Sequence, residues 1–502
     1  MGAMRDMEPV ESDVLDSSEA GGLVVRGGLI RILGFVAVAA VSLLSVVLLT
    51  RYLGPDAFGR YQTVISLIIV VGAITDVGMA TLGSREYAQR QGDDRQEFMA
   101  VLLGLRVSLT CIGIALAIVF AVAAGYGSEL VIGTALAGVG LLLTVVQTTL
   151  AIPLGAELKL GTVTAMDVVR QLLTTAILVG LILAGSGLIA LLAVVIPVQL
   201  VLIAWTAILV RGRIPLVPVI APRAWRALLV TSAAFALAVA VGTIYQYTAQ
   251  ILTSLVAGEF ETGLFSAAFR IYVVGTAVPG LLVASAFPLL SRAARDDHER
   301  LSYALRRLLQ TTVVVGCLGA LCLALGAQPI VDLVGGSEYE GSVPVLRLLA
   351  VALLVAFAIA TWGFGLLSLH RHRPLVVANL VSLAVTGLLV LGLAAGPLGA
   401  RGTAVGVVAG ELVLAAGYLV GLSRVSSIGP AVRREPVTTV VLALACGLVA
   451  SAIPGLGGVA TTVVGLALFC GGLLFARCLP PELASLVPGR LARFVPSTAF
   501  SS

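Results

Sequence analysis

Long apolar runs that recur about every thirty residues constrain this chain more than any other feature. Ile32 to Leu49 and Val440 to Leu448 contain no charged residue. About 20 such residues cross the hydrocarbon core as a helix, and within that core every backbone N–H and C=O must be bonded inside a helix or a closed barrel. Barrel strands alternate apolar and polar side chains. These runs do not alternate, so the chain reads as an all-α polytopic membrane protein. Its composition agrees, with 59% hydrophobic and 11% charged residues and a mean hydropathy of +1.09, where soluble domains carry about 25% charged residues. Fourteen spans are expected, near 23–50, 61–83, 99–124, 129–153, 163–184, 187–210, 227–254, 263–290, 306–327, 346–369, 375–396, 402–423, 437–454 and 459–476. The first run is too long, and too promptly followed by others, for a cleaved signal peptide.

A short polar turn after the first run has a second copy. Residues 53–61 read LGPDAFGRY and residues 257–265 read AGEFETGLF; an offset of 204 places Gly258 on Gly54, Gly263 on Gly59 and Phe265 on Tyr61. Each copy leads into an apolar run and then a charged loop opening with the same dipeptide, Ser84-Arg85 in one and Ser291-Arg292 in the other. The loops are offset by 207 residues against 204 for the turns, and matched features at nearly constant spacing over so long a stretch identify an internal duplication. Two lobes are therefore expected, 23–210 and 227–424, joined by a linker at 211–226 and followed by two additional helices at 425–476. Residues 1–22 are acidic and read as a disordered tail. Residues 477–502 mix basic and apolar side chains, as a segment lying on the membrane surface does, although their prolines fit a plain frayed end equally well.

Lys and Arg in short loops stay on the cytoplasmic side. With the N-terminus inside, the inner loops and the C-terminal tail carry twenty-one basic residues, among them Arg85, Arg90, Arg95, Lys159, Arg300 and Arg373, while the outer turns hold only Arg51, Arg60, Arg347 and Arg401. Both termini are expected in the cytoplasm.

The residue inventory excludes other classes. The six cysteines lie in or beside apolar runs without ligand-like spacing, which argues against a disulfide framework and a zinc site. His370 and His372 flank Arg371 in a basic inner loop and read as topology determinants, so no metal site is expected. Lys159 is the only lysine and no Gly-Lys-Ser/Thr exists, so the chain carries no phosphate-binding P-loop of its own.

The turns RYLGPDAFGRY and VAGEFETGLFSAAFRI, the outer segment from Gln328 to Arg347 and the fourteen helices in two lobes resemble the polysaccharide flippases of the MOP superfamily, relatives of MATE multidrug exchangers and of lipid II flippases. The resemblance covers residues 23 to about 476. It implies a MATE-like fold in which two lobes rock around a central cavity, and a cargo of isoprenoid pyrophosphate bearing a short oligosaccharide. One departure stands out. Relatives often carry an Asp in the seventh helix, whereas this chain reads YQYTAQIL, and neither Gln246 nor Gln250 takes up a proton as a carboxylate does.

A charge inside a spanning helix is costly unless it meets a partner or water, which makes each one a candidate for the pathway. Glu411 lies midway between Arg401 and Arg424, roughly 15 Å from either side, where a carboxylate suits uptake of a proton or Na⁺. Its bland reading is a packed acid bonded to a neighbouring helix. Asp76 is the second such acid, nearer the cytoplasm and with Arg85 as a local partner. For a pyrophosphate, arginine is the natural ligand because its planar fork binds phosphate oxygens bidentately. Arg26, Arg31, Arg170 and Arg270 are the candidates, and Arg106 lies comparably deep. Against this, Asp167 is three residues before Arg170 and suits a pair within one helix, while Arg26 and Arg31 have headgroups within snorkelling reach. Tyr245, with its neighbour Gln246, is a candidate for the glycan; Tyr247, Trp205 and Trp362 suit sugar faces or interfacial anchoring.

The leading reading is a lipid-linked oligosaccharide flippase of the cell membrane. A cation-coupled drug exporter of the MATE type is the second, told apart by whether the cavity is basic or acidic. A membrane polymerase or ligase is the third; it needs catalytic residues on sizeable outer loops, and the longest outer segment, Gln328 to Pro344, has no His. No enzymatic activity and no cofactor are expected beyond a coupling proton or Na⁺. The expected partners are the lipid-linked oligosaccharide, membrane lipids and polysaccharide-assembly enzymes, with no nucleic acid.

Overall fold

The computed structural model describes residues 18–476 other than 77, 158, 212–216, 297, 425–433 and 456, with side chains from residue 37 onward except 80–81, 160, 234–239, 284–285, 288–289, 296, 298 and 434–436. Both expected tails, and Arg26 and Arg31 as ligands, thus fall wholly or largely outside it. The helices are α1 (Ser18–Asp76), α2 (Met79–Gln89), α3 (Gly92–Ala123), α4 (Ser128–Leu150), α5 (Ile152–Ala156), α6 (Leu160–Leu183), α7 (Leu188–Leu192), α8 (Val195–Leu209) and α9 (Pro222–Val256). They continue as α10 (Gly258–Asp296), α11 (His298–Leu325), α12 (Ala327–Val334), α13 (Ser342–Ser368), α14 (His372–Ala394), α15 (Gly399–Ser423), α16 (Arg434–Ser451) and α17 (Gly458–Phe475). Among the described residues there is no strand.

Both copies of the repeated turn break the helical path through the same backbone device. Gly54 adopts φ 68 and ψ 172 inside α1, and Gly258 adopts φ 83 at the start of α10, a positive φ that side chains resist. Pro55 then restarts α1, since a first-turn proline lacks only an N–H that has no helical partner. In the second copy Glu259 and Glu261 occupy the first turn of α10, where acids suit the positive end of the helix dipole. Glu261 also accepts the Ala400 N–H at 2.7 Å, tying α10 to the start of α15.

Eleven helical stretches among the described residues are long and apolar enough to span a membrane. They differ from the fourteen expected at three places: α1 carries two expected spans across its kink, α9 falls outside the eleven, and α16 contributes only the shorter apolar stretch Val437–Ser451.

The halves meet through α1, which packs on α3, α4 and α6 on one side and on α9 and α10 on the other. In the second half α13 and α15 form the centre against α10, α11 and α14, and the α16–α17 hairpin lies on α11. Phe58, Phe265, Phe269, Tyr272 and Tyr339 are all buried in one cluster at this junction. Phe265 stacks on Phe269 with ring centres 5.2 Å apart, and Phe58 meets Tyr339 edge-on at 6.3 Å, the offset and T-shaped arrangements that ring quadrupoles favour.

Candidate functional site

Below the paired turns, the second part of α1, the end of α9 and the start of α10 enclose a small cavity lined by Gln62, Ser66, Tyr247, Gln250, Phe269 and Arg270, among others. The side-chain carbonyl of Gln250 accepts the Ser66 hydroxyl at 2.7 Å, and its amide donates to Ser266 at 2.9 Å. One glutamine therefore ties the two halves together. Arg270 is half-buried, and among the described residues no carboxylate and no hydrogen-bond acceptor engages its guanidinium. A cation without a partner is costly in a spanning helix, which singles Arg270 out among the arginines described.

Two residues further on, α10 turns by roughly 200° to its opposite face. There Tyr272 donates a hydrogen bond of 3.0 Å to Glu411. Glycine at position 410 lets this cluster assemble with its side chains as they stand, because a Cβ there would overlap the Thr386 hydroxyl. The close approach of α14 and α15 lets Ser382 donate to the Gly410 carbonyl at 2.6 Å and brings the Tyr245 hydroxyl against position 410. The Tyr245 hydroxyl lies beside Glu411, Ser382 and Thr386, but neither it nor the buried Thr386 hydroxyl completes a well-aligned hydrogen bond. Glu411 thus sits among oxygens whose hydrogen-bonding capacity is partly unspent. Tyr245 belongs to this cluster, while Gln246 is half-buried.

Among the described residues of the first half, Asp76, Arg106 and Arg170 are each paired. The partner of Asp76 is Arg106, at 2.5 Å, and not Arg85, which is exposed. Arg106 also donates to Thr149 at 2.9 Å. Arg85 is nearer in sequence, but α3 folds back along α1 and delivers Arg106 from thirty residues away. Arg170 pairs with Asp167 at 3.1 Å and donates to Gln147 at 3.1 Å, so the pairing within one helix holds. Trp205 and Trp362 are partly buried in core clusters, and the Trp362 ring N–H is buried without a partner.

The turn end is closed by contacts between the halves. Arg60 binds Glu129 at 2.7 Å and Glu259 at 3.4 Å. Thr50 donates to the Val334 carbonyl at 2.6 Å, Arg51 to those of Leu333 and Asp332, and Tyr339 to that of Thr50 at 3.2 Å. Burial pushes the Tyr339 phenol well above its ordinary pKa, with Glu338 and Asp56 adding to the effect. Sequence reasoning missed Arg60 as an inter-half tie, Ser66 and Ser266 as partners of Gln250, and Tyr272 as partner of Glu411. For Tyr272 a signal existed, a polar residue on the face of α10 opposite Arg270.

A family model described as "Polysaccharide biosynthesis protein" matches residues 48–344. No curated protein matches the chain by sequence. Among solved structures, the lipid II flippase MurJ in an inward closed conformation is similar with a TM-score of 0.73 at 11% identity, over 89% of this chain and 99% of that one. An inward-facing multidrug resistance MATE family transporter of the MOP superfamily gives 0.62 at 18% identity, over 78% and 95%. An outward-facing one gives 0.52 at 18% identity, over 79% and 96%.

Proposed function

This chain belongs to the polysaccharide biosynthesis protein family, and from that premise we propose that it flips an isoprenoid-pyrophosphate-linked oligosaccharide across the cell membrane by alternating access. The fold resembles that of membrane transporters, which supports the transport reading. The observation that carries the cargo reading is Arg270, a cation in the inter-half cavity with no carboxylate partner, whereas Arg106 and Arg170 are each neutralised. A pyrophosphate supplies the missing anion, and Gln62, Ser66 and Tyr247 offer polar groups to the first sugars. Both termini lie in the cytoplasm by the distribution of basic residues, which puts the closed turns outside and the cavity's way in on the cytoplasmic side. Lobes 23–210 and 227–424 rock about α1 and α9.

Coupling, in this reading, runs through Glu411. A proton or Na⁺ held between its carboxylate and the hydroxyls of Tyr245 and Thr386 changes the bond to Tyr272, and Tyr272 shares a helix with Arg270. Occupancy at one face of α10 thereby biases the other. Asp76 is the lesser candidate, since Arg106 already holds it.

The test is ligand binding by the purified protein. Isoprenyl pyrophosphate, with or without sugars, should stabilise it against heat, isoprenyl alcohol should not, and the effect should fall in Arg270→Ala. Stabilisation by organic cations instead would replace this reading with drug export.

A further inference from the structure

The offset of 204 residues that relates the two turns reappears in space as a reciprocal contact. The α-carbon of Gly59 faces the carbonyl oxygen of Glu259, and that of Gly263 faces the carbonyl oxygen of Pro55. Pro55 and Glu259 are themselves related by the same offset, as are Gly59 and Gly263. Exchanging the copies maps one contact onto the other, so a local two-fold axis passes between the turns. A Cβ at either glycine would overlap the opposing carbonyl oxygen. That oxygen belongs to the backbone and has no rotamer by which to give way, so an added methyl group can be accommodated only by moving the helices apart.

Each turn belongs to a different half, and little besides backbone meets at the glycines. Such a contact fits closely when shut, because the atoms that face each glycine belong to the opposing backbone. Arg60 spans it from the side, toward Glu129 on its own half and Glu259 on the other, and Ser66 and Gln250 close the layer beneath.

We propose that the two repeated turns are the gate at this end of the translocation path, and that Gly59 and Gly263 are the residues whose missing side chains let it shut. The duplication conserves both glycine pairs for different purposes: Gly54 and Gly258 make the turns, and Gly59 and Gly263 let the turns meet. The gate rests on the reading of two moving halves and not on the identity of the cargo, so it is tested by a distance and not by transport.

The experiment uses full-length protein in lipid nanodiscs, with the six native cysteines replaced and nitroxide labels attached through Asp56→Cys and Phe260→Cys, exposed positions on the two turns. Pulsed dipolar spectroscopy should give one dominant short separation in this parent. Gly59→Ala and Gly263→Ala should each move the ratio of separated to apposed turns by roughly tenfold or more. Gly280→Ala, where a Cβ meets open space, should leave it unchanged. The proposal also requires that both variants fold, because separating the turns relieves the overlap. An unchanged distance in either variant overturns it, and so does loss of monodisperse protein in both, which would make the contact a permanent part of the fold.

Discussion

The ion pair of Asp76 and Arg106 offers the sharpest test of which charges hold the structure and which are free to act. The pair is lopsided: the Arg106 side chain is 4% exposed and that of Asp76 34%. Removing one partner of a buried pair typically costs about 3–5 kcal/mol, because the other charge is left without compensation. In Asp76→Asn the stranded group is the fully buried guanidinium, so the expected loss is about 3 kcal/mol, near the low end because Thr149 still accepts one bond. In Arg106→Gln the stranded group is a carboxylate that water reaches, and the loss should be nearer 1 kcal/mol. The double variant should be more stable than the sum of the two losses predicts, by about 1 kcal/mol or more. Thermal unfolding followed by size-exclusion chromatography of detergent-solubilised protein reads all four members of the cycle. Equal stability of Asp76→Asn and the parent would refute the reasoning and return Asp76 to the list of coupling acids.

Glu411→Gln should preserve folding and cargo binding yet abolish the dependence of transport on pH or Na⁺; a variant that keeps the full gradient dependence makes Glu411 a packed structural acid. Because burial raises the folded-state pKa of Tyr339, its contribution to stability is complete below the ordinary phenol value of about 10 and is lost as pH rises above it, by at most about 1.4 kcal/mol per pH unit. Melting midpoints of the parent should therefore drop more steeply between pH 10 and 11 than those of Tyr339→Phe, and parallel curves would contradict burial of the Tyr339 hydroxyl between the halves. Reporter fusions after Gly127 and after Gly336 should read outside, and those after Arg95 and Arg300 inside; a reversal at either pair contradicts the orientation.

Much of the architecture was legible because it rests on local signals. Apolar runs mark spanning helices wherever they occur, and the glycine-bearing turns repeat at a constant offset, so the duplication and the two turns could be located before any coordinates, whereas the left-handed backbone at Gly54 and Gly258 is seen only in the structure. Depth along a helix singled out Glu411 and Arg270 for the same reason. Partners were not legible. Arg85 is closer to Asp76 along the chain, but the choice of Arg106 depends on how α3 packs against α1, which no spacing encodes. Tyr245 drew attention as an aromatic for sugars, yet its hydroxyl faces the Glu411 cluster because α9 packs against α14 and α15. The ties of Arg51, Arg60 and Tyr339 join segments up to 289 residues apart, and only the assembled halves bring them together.

The central claim, that an unpaired Arg270 serves a pyrophosphate cargo, is tested most directly by transfer of a labelled lipid-linked oligosaccharide across liposomes containing purified protein. Losing a charged hydrogen-bonding partner is worth about 1.5–3 kcal/mol, or roughly 10- to 100-fold. Arg270→Ala should slow transfer by that factor at equal reconstitution, and Arg270→Lys should restore only part, since an ammonium supplies charge without the planar fork. Equal rates for parent and Arg270→Ala would contradict the account.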